Sequence, residues 1–129
     1  MQGLLSPPHR AAYTASKHAV QAWADCLRAE LATAGVGVLV VCPAHVNTAL
    51  SQHAVTGAGQ QWGRADPATL AGYSPDWVAG RVVAGLANRS SQLVLAPLHI
   101  KLVILLRTLW PGLYRAIMRW KAVRDMKKR

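Results

Sequence analysis

The chain has 129 residues, 52% of them apolar, and a formal charge of +10. That length allows one domain or part of one, and two cysteines are too few for a disulfide framework. The charge is local: residues 98–129 hold nine Lys/Arg against one acid, residues 1–97 six against four, so the sequence points to a local anionic partner and not to a uniformly basic surface.

Residues 1–12 lack the apolar run of a signal peptide, and no stretch reaches the ~20 unbroken apolar residues of a spanning helix. Pro7-Pro8 is a stiff lead-in. Residues 11–34, rich in Ala and Leu, read as a helix that stops at Gly35. Within it Tyr13 and Lys17 are four apart and share a face. A free phenol ionises near pH ~10; a neighbouring ammonium favours the phenolate and brings the pair into the range of useful proton transfer. Spacing alone is weak evidence, because Tyr-x-x-x-Lys arises often by chance. Ala15, Ala19, Ala22, Cys26 and Ala29 form a stripe of small residues on the same helix. The stripe permits close approach of a second helix, of the chain's own sheet, or of both. His18 is expected to face away from the Tyr13/Lys17 site. Cys26 and Cys42 read as small buried hydrophobes.

Residues 36–42 are a β-branched, apolar run of the kind found in a parallel strand covered on both faces, and Pro43 ends it. Residues 44–73 are turn-rich and read as a long loop with one short helix; loops of that length are usually functional or mobile. His45 and His53 lie in it, but a metal site needs further converging ligands and acids are scarce. No metal site is expected, and loop surface or substrate contact is the reading for both. Ser74-Pro75-Asp76 has the order of an N-cap, a first-turn proline and a dipole-matching acid, opening a helix to about residue 88. Residues 92–96 read as a second buried strand.

Residues 98–110 are strongly apolar, interrupted by Lys101 and Arg107, and Pro111-Gly112 breaks the run. Residues 113–127 read as a basic amphipathic helix, with Leu113, Ile117, Trp120 and Val123 on one side. Trp110, Tyr114 and Trp120 alternate with Arg and Lys, a pattern that fits a helix lying at a membrane surface. Lys127-Lys128-Arg129 would add ~1 kcal/mol per basic residue toward anionic lipid. The alternative is a solvated helix. Nucleic acid is not expected, since no binding fold accompanies the charge.

The run Ala12-Tyr13-Thr14-Ala15-Ser16-Lys17-His18-Ala19, continued by residues 21–31, resembles the active-site helix of the short-chain dehydrogenase/reductase family. Residues 37–48 resemble its sixth strand and the Pro-Gly-x-x-x-Thr loop that follows, and residues 74–79 the start of its next helix. The tail through residues 106–113 is similar to a membrane-associated, member 7B-like branch. The resemblance covers nearly the whole chain but only the C-terminal half of a family member. It implies an α/β fold, the C-terminal portion of a Rossmann-type doubly wound parallel sheet, over residues 1–97, with residues 98–129 as an apolar, basic extension. It also implies an NAD(P)(H)-dependent oxidoreductase acting on a carbonyl/alcohol pair, with NADP or NAD as cofactor. Tyr13 would be the acid/base. Lys17 would activate it and hydrogen-bond the cofactor ribose. In the loop opened by Pro43, Val46 would offer backbone groups to the nicotinamide carboxamide and Thr48 its hydroxyl.

The chain departs from the family at Ala44, where glycine is usual. If that position needs positive φ, alanine strains the loop. The 129 residues contain no Gly-x-x-x-Gly-x-Gly diphosphate loop, and Ser6 is too close to Tyr13 to be the family's catalytic serine. The fragment is therefore expected to be inactive alone. The resemblance further implies a homodimer through the 11–34 helix. The branch points to a lipid-like substrate and to the cytosolic face of endoplasmic reticulum or peroxisomal membrane, otherwise the cytoplasm. The alternative function is a non-catalytic truncated isoform that binds a membrane or a partner.

Overall fold

A computed structural model describes residues 1–55, 58–61 and 63–127. Helix α1 (Ala11–Glu30) is followed by a 3-10 turn (Ala32–Ala34) and strand β1 (Val40–Pro43). A second 3-10 turn (Ala49–Ser51) and the one-turn helix α2 (Pro67–Leu70) lie in the long loop. Then come α3 (Pro75–Ala87), β2 (Gln92–Leu95), α4 (Leu98–Leu109) and α5 (Pro111–Met126).

β1 and β2 pair in parallel, Val40 opposite Gln92 and Pro43 opposite Leu95. Parallel strands cannot be joined by a hairpin, so the connection must cross over, and α3 is the crossover helix. This is the mixed α/β architecture of a partial Rossmann-like sheet. Strand β1 begins at Val40, later than the apolar run does, because ladder pairing starts where Ser91 offers its carbonyl to the Val40 N–H (3.0 Å). Residues 36–39 precede β1 without strand pairing.

The helix ends follow local chemistry. Gly35 closes the first 3-10 turn at φ 69°, the left-handed region glycine enters without cost. Ser74 Oγ accepts from the Trp77 N–H at 3.2 Å, Pro75 takes the first helical position and Asp76 lies in the first turn. Asp66 caps α2 by accepting from the Ala68 N–H at 2.9 Å. At the α4–α5 junction Trp110 leaves helical geometry (φ −130°, ψ 68°), and Pro111 starts α5 where its missing N–H is harmless. The proline thus opens the last helix two residues earlier than the amphipathic pattern indicates.

Of the two approaches open to the small-residue stripe of α1, the one onto the chain's own sheet does not occur. The small-residue stripe Ala15, Ala19, Ala22, Cys26, Ala29 is exposed throughout, and Cys26 is therefore not a core cysteine. The inward line is Thr14, His18, Gln21, Ala24, Arg28 and Leu31, at helical spacing but largely polar. Its members find partners on the sheet. Gln21 Nε2 donates to Cys42 Sγ (2.8 Å), and its Oε1 accepts from Gln92 (3.2 Å). Arg28 reaches the Val38 and Ser91 carbonyls (3.3 and 3.0 Å) and Asp25 (2.6 Å). A two-stranded sheet leaves strand-entry carbonyls uncovered, and α1 answers them with donors instead of alanines. Cys42 is buried, as its strand position implies.

Among the described residues the buried side chains are few: Ala24, Cys42, Leu95, Ala96, Tyr114 and the polar Thr14. α3 lies on the sheet at the buried Gly85, where a Cβ would make ordinary contact with Leu39 and Leu93 methyl carbons at 3.4 and 3.6 Å. On α5 the stripe Leu113, Ile117, Trp120, Val123 faces solvent, while Tyr114, Met118 and Lys121 turn inward. On α4 the residues Leu98, Leu102, Leu105 and Leu109 are likewise exposed. Among the described residues no helix is long and apolar enough to cross a membrane.

Two glycines separate packing from propensity. A Cβ on Gly72 would collide with the His45 backbone carbonyl and stand 2.9 Å from the Thr69 carbonyl oxygen, whereas Gly80, inside α3, has open space around it. Gly72→Ala is expected to destabilise by ~1–3 kcal/mol and Gly80→Ala to stabilise by ~0.5–1 kcal/mol. Thermal melts of the two variants check the opposite signs.

Candidate active site

The alignment of α1 with the sheet places its ends. Arg28, in the last turn, bonds carbonyls at the strand-entry end. At the other end, Gly3 runs so close to α1 that a Cβ would lie 2.7 Å from the Lys17 carbonyl oxygen, and the Met1 amine donates to the Pro43 carbonyl at 2.9 Å. Burial is the main force holding that amine below its ordinary value; Cys42 pulls it up and the Lys17 charge pushes it down. The first half of α1 therefore lies at the C-terminal end of β1, the end at which open parallel sheets take ligands.

Tyr13 and Lys17 occupy successive turns there. Both are exposed, and Lys17 Nζ stands 5.3 Å from the Tyr13 ring centroid. Thr14 turns inward between them, so the backbone around the pair is anchored while the pair faces out. Ser16 Oγ donates to the Tyr13 carbonyl at 2.8 Å.

The loop after β1 is held from both sides. The Ala44 N–H donates to the Leu95 carbonyl at 2.8 Å, extending the ladder by one residue. Ala44 is not among the residues with positive φ; among non-glycines these are His9 and Arg89. The strain that alanine would bring to a left-handed position therefore does not arise. Tyr73 donates to the His45 carbonyl and accepts from the Asn47 N–H, each at 2.9 Å, pairing Val46 with Tyr73 as an isolated parallel bridge. In this bridge both bonds pass through the neighbours of Val46, so its own N–H and C=O point to the opposite edge. Thr48 is extended (φ −141°, ψ 164°), and its hydroxyl caps no helix end. Tyr73 is itself fixed by stacking on Trp77, with ring centroids 4.6 Å apart. The start of α3 thus braces the loop.

His45 lines a cavity of about 420 Å³ with Gln2, His9, Arg10, Lys121 and Asp125. His53 Nδ1 contacts Gln61 Nε2 at 2.8 Å. Among the described residues no three His, Cys, Asp or Glu converge in a way that could hold a metal ion.

Several contacts around the site leave no trace in local sequence. Tyr114 accepts the Ser6 N–H at 2.9 Å from 108 residues away. Arg107 Nη1 donates to the Leu4 carbonyl at 2.6 Å and lies 2.7 Å from His18 Nε2. Arg107 interrupts an apolar run in the sequence, and that interruption is the one available signal.

The chain as a whole is similar to known proteins. The family model described as short chain dehydrogenase matches residues 1–60. The chain is a relative of the short-chain dehydrogenases/reductases, similar along its whole length to their members of the 7 and 7B type. It is 43% identical over 122 residues to dehydrogenase/reductase SDR family member 7B of Danio rerio, covering 95% of this chain and 40% of that protein. The Bos taurus member 7B is 42% identical over 129 residues, 100% of this chain and 40% of that protein. The Drosophila melanogaster SDR family protein 7-like is 41% identical over 124 residues, 96% of this chain and 38% of that protein. The chain thus spans about two-fifths of the length of these relatives. No solved structure matches it.

Since Ala44 sits outside the left-handed region, Ala44→Gly removes a restraint on the unfolded chain without relieving strain. It is expected to lower stability by ~0.4–1 kcal/mol, read as a lower midpoint in denaturant titration. A rise would restore the strained-loop reading.

Proposed function

We propose that these residues form the acid/base and nicotinamide-facing part of an NAD(P)(H)-dependent oxidoreductase of the short-chain dehydrogenase/reductase type, acting on a carbonyl/alcohol pair. The observation that carries this reading is the pairing of Tyr13 and Lys17 at the strand-exit end of α1, next to a loop whose Val46 backbone groups and Thr48 hydroxyl are turned away from its own hydrogen bonds. That donor and acceptor set fits a nicotinamide carboxamide and ribose. Val46, Thr48 and Lys17 would hold them, with Pro43 setting where the loop leaves the strand.

The bound cofactor would supply the hydride. Tyr13 would give its hydroxyl proton to the carbonyl oxygen in reduction and take it back in oxidation. Lys17, one turn on, would stabilise the phenolate left behind, because an adjacent positive charge favours the ionised form. NADPH-linked reduction of a lipid-like ketone is the substrate class we favour. The 129 residues carry no Gly-rich diphosphate loop, and we expect the chain by itself to turn over no substrate. In the natural polypeptide that carries these residues, Tyr13→Phe and Lys17→Met are each expected to lower kcat by ~10²–10⁴-fold. NAD(P)H turnover that survives both substitutions would overturn the assignment.

A second reading has its own observation. The leucines of α4 and the stripe Trp110, Leu113, Ile117, Trp120 of α5 are exposed, and Arg115, Arg119 and Arg124 share α5 with them. We propose that residues 98–129 dock on an anionic membrane surface, placing the protein on the cytosolic face of endoplasmic reticulum or peroxisomal membrane. A homodimer through the outward stripe of α1 is compatible with either reading. If the chain is not catalytic, this docking is its function, as a truncated membrane- or partner-binding isoform. Removal of residues 111–129 is expected to abolish co-sedimentation with phosphatidylserine vesicles, while Tyr13→Phe leaves it intact. Unchanged binding by the truncated chain would end the docking reading.

A further inference from the structure

We propose that Arg107 is a positioning residue for the active-site helix, acting through His18, and that this joint opens when His18 takes up a proton. The hydrogen-bond chemistry fixes the state of the imidazole. His18 Nδ1 lies 2.9 Å from the Thr14 carbonyl oxygen, which can only accept, so Nδ1 carries the hydrogen. Nε2 lies 2.7 Å from Arg107 Nη1, and a guanidinium can only donate, so Nε2 presents a bare lone pair. His18 is therefore neutral, in one tautomer.

The same Arg107 nitrogen donates to the Leu4 carbonyl at 2.6 Å. One guanidinium nitrogen thus ties α4 to α1 and to the segment that leads into α1. His18 follows Lys17 directly and bonds back across the turn that carries Tyr13 and Lys17. Both His18 and Arg107 are half-buried, where such a contact is less screened than at the surface.

Protonation at Nε2 would set N–H against N–H and cation against cation. The charged groups nearest the joint are Arg107 from α4 and Lys17 beside His18 on α1. From α5 the Tyr114 hydroxyl, already engaged by Ser6, and the Lys121 ammonium face the leading segment. Among the described residues no carboxylate is seen bonded to His18 or Arg107, whose side-chain partners are the Thr14 and Leu4 carbonyls and each other. Nothing offsets the added charge, so the contact and the proton exclude each other. Histidine is the side chain whose charge ordinarily changes between pH ~5 and ~8.

The consequence for catalysis rests on the Tyr13/Lys17 reading; the joint does not. The test is amide hydrogen exchange over the first two turns of α1 in the natural polypeptide, corrected for intrinsic rates, at about pH 8 and about pH 5, the two ends of that range. Wild type is expected to lose about tenfold in protection at the lower pH, the scale of one hydrogen bond to a charged group. Arg107→Met should show the low protection at both pH values, and Arg107→Lys should recover part of it. His18→Gln, whose amide oxygen accepts but does not titrate, should keep protection and lose the pH step. A pH step that persists in His18→Gln, or wild-type protection in Arg107→Met, would overturn the proposal. In the same polypeptide Arg107→Met should lower kcat with KM for the cofactor unchanged. A wild-type polypeptide without any reductase activity would sink the catalytic reading while leaving the exchange result to stand or fall by itself.

Discussion

The parallel pairing of β1 with β2 is the constraint from which the rest follows. Two parallel strands oblige the chain to cross from the exit of one to the entry of the other, and that crossing supplies both the loop after β1 and the helix α3 that braces it through Trp77 and Tyr73. The pairing also exposes the Val38 and Ser91 carbonyls at the strand entry, where Arg28 anchors the far end of α1. With that end fixed, the first turns of α1 have one place to go, beside the strand exit. Tyr13 and Lys17 thus owe their position to an arginine roughly three to four turns away, and the two side chains and the loop come together at one end of a sheet of only two strands.

Much of this was legible in the sequence because it is encoded locally. Gly35, Ser74-Pro75-Asp76 and Pro111 each act within a turn of themselves, and each marks an element end in the structure within a residue or two. The apolar runs gave both strands. The motif around Tyr13 and Lys17 pointed to the family that the comparisons found. What periodicity could not give was the identity of the buried face of α1. Small residues usually mark a close approach, so the alanine stripe invites burial; here the polar line Gln21–Arg28 is buried instead, because the surface beneath it is made of carbonyls and a thiol. The same blindness applies to Ala44, where residue type hints at strain and only the backbone angle removes it.

The two ends of the chain meet in a way that joins the two functional readings. The α4–α5 hairpin shows leucines and tryptophans to the outside, while Tyr114 and Arg107 on its inner side grip the segment before α1. The outward apolar face of the hairpin and the start of α1 are thus one mechanical piece, connected by side-chain to main-chain bonds and by apolar side chains such as Leu5, Ile100 and Val103 that line a common hollow.

Those bonds span 103 and 108 residues. Contacts between such distant positions are costly to close and form slowly. During synthesis the segment before α1 leaves the ribosome about a hundred residues ahead of its partners on α4 and α5. Until those helices arrive, the Leu4 carbonyl and the Ser6 N–H lack these partners, and the leading segment is open to other molecules, folding helpers and sister chains among them.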